Sequence, residues 1–245
     1  MGLYVYAVGR SGEGEAPPPI GVFDRPAYRL DVGSLCAVVS ECPVVKLRPE
    51  RRHIAAAQRV LAALSAKFDA APMAFGTITE SKDEVRRFLI DHRETLDAQL
   101  RRVAGACEMS LRLCLEAADP IAYLVERTPE LRAARERVFH GRRAPSNDAK
   151  IRLGQMFEDA LQRYRDARTR QVVAALETCC AEVVALPVCG EREIANLAAL
   201  APRSGLDAFE AAVDAAAAQV DEDIAFNLGG PWPPYNFVQF DPRGR

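Results

Sequence analysis

Between residues 107 and 115 apolar and polar side chains alternate. Cys107, Met109, Leu111, Leu113 and Leu115 fall on one face, and Glu108, Ser110, Arg112 and Cys114 on the other. A period of two is that of a half-buried strand, so Glu108 is expected on the polar face. Short apolar runs predict further strands at 3–8, 28–31 and 35–40, the last two joined by a turn at Gly33-Ser34. Residues 35–39 are apolar on both faces, which suits a central strand. One more strand is expected over 73–79, carrying Phe75, Gly76 and Thr77.

Other stretches carry the three- and four-residue spacing of helices. After Pro49, the residues Ile54, Ala57, Leu61, Leu64 and Phe68 make one apolar face, and Ala70-Ala71-Pro72 stops that helix. Ser81 with Glu84 three residues on is a capping box. The helix it opens carries Val85, Phe88, Leu89, Leu96, Leu100 and Val103 and ends at Gly105. The resulting order, β-ββ-α-β-α-β, predicts an N-terminal α+β domain over residues 1–117, a mixed sheet with two covering helices.

From Asp119-Pro120 the pattern is helical to about Phe139, with a break at Thr128-Pro129. Residues 141–146 read as a flexible break. Asn147 or Asp148 then caps the longest helix, which reaches about Cys180. Roughly 30 residues at 1.5 Å each span about 45–50 Å, so this helix should project or pair with the one before it. Strands follow at 182–188 and 193–200. A helix opens at Ser204 and Asp207, and a last strand bears Ile224, Phe226 and Leu228. The order α-ββ-α-β is most of a ferredoxin-like unit, which gives a second α+β domain over 118–229.

The final segment, 230–245, reads as a separate tail. Gly230-Pro231-Trp232-Pro233-Pro234-Tyr235-Asn236-Phe237-Val238 holds the only tryptophan of the chain and three of its sixteen prolines. Proline fixes φ, lacks an N–H and keeps the residue before it out of the α region. The arm is therefore stiff and extended, barred from helices and central strands. It either plugs its own domain or docks on a partner.

Composition narrows the function classes. The 245 residues are 49% hydrophobic and 27% charged, ordinary for a chain with a sizeable core. A formal net charge of −2 supplies no global basic field for nucleic acid. The arginine-rich stretch 131–143 is interleaved with acids and lacks an aromatic platform, so it reads as a solvated face. No run of 18 apolar residues spans a membrane. The N-terminus lacks the basic flank and cleavage site of a signal peptide, which places the chain in the cytoplasm. Seven cysteines without a C-x-x-C pair suit reduced core thiols.

Catalytic motifs are missing. His53, His92 and His140 are not spaced as metal ligands, and there is no nucleophile elbow, phosphate loop or His-Glu-x-x-His. Asp221-Glu222-Asp223 reads as a solvated junction. The expectation is a non-catalytic protein without cofactor or metal.

Three stretches together resemble the gas vesicle protein GvpF/GvpL family: Leu3-Tyr4-Val5-Tyr6, Pro72-Met73-Ala74-Phe75-Gly76-Thr77, and the proline-aromatic motif 230–238. The likeness covers almost the whole chain and is most specific in the last motif. It departs at Ala74, where an arginine commonly precedes Phe-Gly-Thr. The resemblance implies two α+β domains, at least one a modified ferredoxin-like fold. It also implies a minor structural or assembly component of gas vesicles that binds the small hydrophobic shell protein, with other accessory proteins as further partners. The rival reading is a ferredoxin-like regulatory protein binding a small molecule or RNA, which would need a polar cleft or a sheet face of stacked aromatics.

Overall fold

The computed structural model describes residues 1–12, 19–65, 68–139 and 145–238. His140 and most of the break expected at 141–146 lie outside them. The fold is α+β, with two sheets and seven α-helices among the described residues. Two compact units emerge. One comprises 1–109, 200–206 and 229–245, the other 110–199 and 207–228. The 230–238 tail thus belongs to the same unit as the N-terminal strands, rather than standing apart.

The first unit is built on a sheet ordered β2 (Tyr28–Val32), β3 (Leu35–Cys42), β1 (Gly2–Arg10), β4 (Ala70–Pro72), with β5 (Ile78–Thr79) also on β1. All these pairings are antiparallel, and β3 is interior as its two-sided apolar run requires. A register shift between Val5 and Ala7 puts one extra residue into β1. Tyr4, Tyr6 and Ala7 therefore all join the core beneath α1 (Arg51–Ser65), while Leu3, Val5 and Val8 face α2 (Lys82–Asp91) and α3 (Arg93–Arg102). Helices thus cover both faces of the sheet.

Two expectations need correction in this unit. The strand over 73–79 is interrupted. Ala74 to Thr77 make a turn in which Thr77 N–H and Oγ1 both donate to the Ala74 carbonyl, at 3.2 and 2.7 Å, with Gly76 at φ +85°. Apolar content alone does not reveal that reversal. The single helix from Ser81 to Gly105 is two helices that meet at His92, whose φ of −107° and ψ of 15° leave the helical region. The Ser81 cap itself forms, with Glu84 N–H donating to Ser81 Oγ at 3.3 Å.

In the second unit α4 (Pro120–Arg127), α5 (Pro129–Phe139) and α6 (Asn147–Leu176) pack together. Asp119 caps α4, and α6 is capped by Ser146, one residue before the expected candidates. Of its apolar residues, Leu161, Val172 and Leu176 are buried, while Ile151 and Met156 are exposed. No residue of 147–159 is buried, so only the later part of α6 contributes to the core. Arg165 is the exception to an apolar core here. Its guanidinium donates to the carbonyls of Glu193 and Gly190, holding the turn between β7 (Glu182–Ala185) and β8 (Glu193–Pro202).

The second sheet is ordered β7, β8, β6 (Ala106–Leu115), β9 (Ile224–Trp232), and α7 (Leu206–Ala217) precedes β9. β9 does not stop at Gly229-Gly230 but continues through Pro231 to Trp232. It is an edge strand, a sheet position that tolerates a residue without an N–H. The Gly230–Pro231 peptide is cis.

Candidate functional site

The tail folds back on its own unit. After β9 the chain passes through Pro233 and Pro234, both buried, into a single 3₁₀ turn, Tyr235–Phe237. Phe237 is 0% exposed and Val238 packs on the cluster containing Leu3, Val5 and Met73. Trp232 and Tyr235 keep 41% and 42% of their surface exposed, but the Tyr235 hydroxyl lies toward the buried Tyr4 and Glu108, and burial pushes it above the usual phenol range. The tail therefore has a buried row and two half-exposed aromatics, with prolines on either side of Trp232.

Its polar anchor is Glu108. This residue is only 6% exposed, against its place on the polar face of the alternation. The reason is the tail itself. Asn236 donates its backbone N–H to Glu108 Oε2 at 2.8 Å and its Nδ2 to Oε1 at 2.6 Å. Burial pushes the Glu108 carboxyl above its usual range, and the two Asn236 bonds pull it part of the way back. Gly230 makes the close approach possible. Its φ is +124°, and a Cβ there would lie 2.8 Å from Met109 Sδ and 3.0 Å from the Glu108 carbonyl oxygen.

The Phe75-Gly76-Thr77 turn is tied to the opening strand. Gly76 N–H donates to Tyr4 Oη at 3.2 Å, Val5 N–H donates to the Thr77 carbonyl at 2.9 Å, and the Phe75 ring meets Tyr4 edge-on at 6.2 Å. Tyr4 is buried, which pushes its hydroxyl up to about 12. Ala74 is exposed. So the three stretches that carry the resemblance converge in one unit: β1, the Gly76 turn and the docked tail. An open cleft of about 410 Å³ lies beside them, floored by Val5, Met73, Ile78, Val85 and Phe88 and rimmed by Glu84, Arg87, Asp91 and His92.

One polar network escaped the sequence reading. In the second unit Tyr164 Oη donates to Asp221 Oδ2 at 2.6 Å and Arg168 Nη2 donates to the same oxygen at 2.9 Å. Arg127 pairs with Asp223 at 3.4 Å and stacks over Tyr123, 3.7 Å from its centroid. Asp221 thus anchors α6 and Asp223 pairs with α4, while Glu222 and Asp223 stay exposed, as a solvated junction would have them. Its hydrogen bonds and the Arg168 charge hold Asp221 below the usual carboxylate range against the opposing effect of burial. Nothing local in the sequence around Tyr164 marks its acceptor 57 residues away.

Comparison with known proteins identifies the class to which these features belong. A family model described as gas vesicle synthesis protein GvpL/GvpF matches residues 2–239. The chain belongs to this GvpL/GvpF family of gas vesicle proteins. It is 29% identical over 242 residues to gas vesicle protein F of Streptomyces sp. (strain CB03234), covering 98% of this chain and 100% of that one. It is 27% identical to gas vesicle protein L1 of Halobacterium salinarum, covering 97% and 90%. The fold matches the crystal structures of GvpF from Anabaena sp. PCC7120 (TM-score 0.84, 22% identity, 98% and 99% covered) and Microcystis aeruginosa (TM-score 0.81, 19% identity, 98% and 99% covered). No helix among the described residues is long and apolar enough to cross a membrane.

Proposed function

We propose that this chain is a minor structural or assembly component of gas vesicles in the cytoplasm, that it transforms no substrate, and that it binds the hydrophobic shell subunit. Membership of the GvpL/GvpF family supports the setting. The observation that carries the contact is the exposed ring surface of Trp232 and Tyr235 on an otherwise docked tail. Aromatic side chains fixed on a rigid backbone are the usual anchors of protein interfaces, because they bury much area at little ordering cost.

This changes which tail residues meet the partner. Phe237 and Val238 look like natural docking residues from sequence, but they are engaged in this chain's own core. The partner-facing residues are Trp232 and Tyr235, and the buried row sets their positions.

A complementation experiment tests the reading. In a vesicle-forming host lacking this chain, the wild-type gene should restore buoyant, light-scattering vesicles. The double variant W232S/Y235S, at equal protein level, should not. Full restoration by the double variant would reject the contact assigned here.

A further inference from the structure

Cys179 and Cys180 follow α6, and their sulfurs lie 3.8 Å apart. Both side chains are partly exposed, and neither is in a disulfide. The backbone around them closes the helix. The N–H groups of Cys179 and Cys180 both donate to the Leu176 carbonyl, at 3.1 and 2.9 Å, and the Cys179 thiol donates to the same oxygen at 3.4 Å. Elsewhere Cys36, Cys42 and Cys107 are buried, and Cys189 is exposed on the turn before β8.

We propose that this vicinal pair is a modification site for hydroperoxides, at which two-electron oxidation closes a disulfide between neighbouring residues. One cysteine gives up its proton and its sulfur attacks a peroxide oxygen. The O–O bond breaks, a sulfenic acid forms and one water leaves. The second sulfur then attacks the sulfenic sulfur. The S–S bond forms, the S–O bond breaks, and the departing hydroxide takes the second thiol's proton to leave as water. Two thiols lose two electrons, and one hydrogen peroxide becomes two waters.

The second step is fast because its nucleophile is already in place. The sulfurs need to close from 3.8 Å to about 2.05 Å, without a hinge or a second chain. The product is strained. Adjacent Cα atoms sit about 3.8 Å apart across a trans peptide, below the usual disulfide spacing of about 4.4–6.8 Å. Strained disulfides are readily reduced, so the modification is reversible. It also reaches the helix. Closing the ring removes the Cys179 thiol bond to Leu176 and rotates the peptide between the two N–H groups that hold the same carbonyl, which loosens the last turn of α6.

The test treats the full chain with excess hydrogen peroxide, then cuts with a glutamate-specific protease. Cleavage after Glu177 and Glu182 isolates residues 178–182 from Cys189. The expected fragment is lighter by about two mass units, the two hydrogens lost on disulfide formation, and dithiothreitol restores it. C179S and C180S should each abolish the loss, and C189S should keep it. Amide exchange at 173–180 should quicken in the oxidised protein and recover on reduction. An unchanged 178–182 fragment, one that only gains oxygen, or one cross-linked to Cys189 or to a second chain would overturn the proposal. Unchanged exchange would overturn its link to α6.

Discussion

Asn236 meets both carboxylate oxygens of Glu108 across 128 residues of sequence, at 2.6 and 2.8 Å. Through this contact the tail buries a carboxylate that the strand alone would leave in water, and the carboxylate in turn fixes the turn bearing Tyr235. Neither residue's position makes sense without the other.

Replacing Asn236 separates the two halves of that relationship. Asn236→Ala leaves one Glu108 oxygen buried without a donor, which costs about 1–3 kcal/mol. Asn236→Asp sets a second carboxylate against the first and should cost more. Trp232, the only tryptophan, lies in the tail and reports the change. Its emission should move to longer wavelength in the Asp variant at pH 7 and return as acid neutralises the pair. An unchanged spectrum would show that the tail does not depend on Glu108.

The wild-type tail should itself depend on pH, in the direction opposite to ordinary acid denaturation. The Glu108 carboxyl is raised in the docked state, so docking binds protons more tightly than release does. Docking is therefore strongest below the carboxyl's ordinary value of 4.5 and weakens as pH rises through the raised one. In a Trp232 quenching titration, quencher access should increase over that window, and Glu108→Gln should flatten it.

Asp221 gives the reverse sign in the other unit. Its carboxyl is lowered by Tyr164 and Arg168, so its contribution is present above the ordinary value of 3.8 and lost as pH falls through the lowered one. Asp221→Asn should lower the melting temperature at pH 7 and remove that acid-sensitive contribution. Thermal melts of both proteins from pH 7 to pH 2 should converge at the acid end.

Two glycines distinguish strain from collision. Gly76 has φ +85° with open space where a Cβ would lie, so Gly76→Ala should cost about 1 kcal/mol from backbone strain alone. Gly230→Ala adds a clash with Met109 and the Glu108 backbone, and should cost more and displace the tail. Denaturant melts give the order, and Trp232 emission should shift only for the second.

Much of this fold is written in local patterns. The alternation over 107–115 marks β6, the run at 35–39 marks the interior β3, and Ser81 with Glu84 marks the start of α2. The arm's stiffness follows from its prolines. What local pattern does not carry is the partner of each side chain. Alternation puts Glu108 on the polar face because it knows nothing of a segment 128 residues away. The Gly76 turn is hidden in an apolar run, because a single positive φ reverses the chain without altering hydropathy. Nor does the stiffness of the arm say that Phe237 turns inward while Trp232 turns out.

That division of labour within the tail is the centre of the account, and matched substitutions test it. Phe237→Ala removes a fully buried ring and should destabilise the protein by about 3–5 kcal/mol. W232A/Y235A removes two half-exposed rings and should cost less than Phe237→Ala, leaving the chain folded. The most direct measurement is the dissociation constant of purified wild-type and W232A/Y235A protein for the hydrophobic shell subunit, with circular dichroism confirming equal folding. At least a tenfold loss of affinity, about 1.4 kcal/mol, is expected for the double variant. Equal affinity in two equally folded proteins would contradict the account.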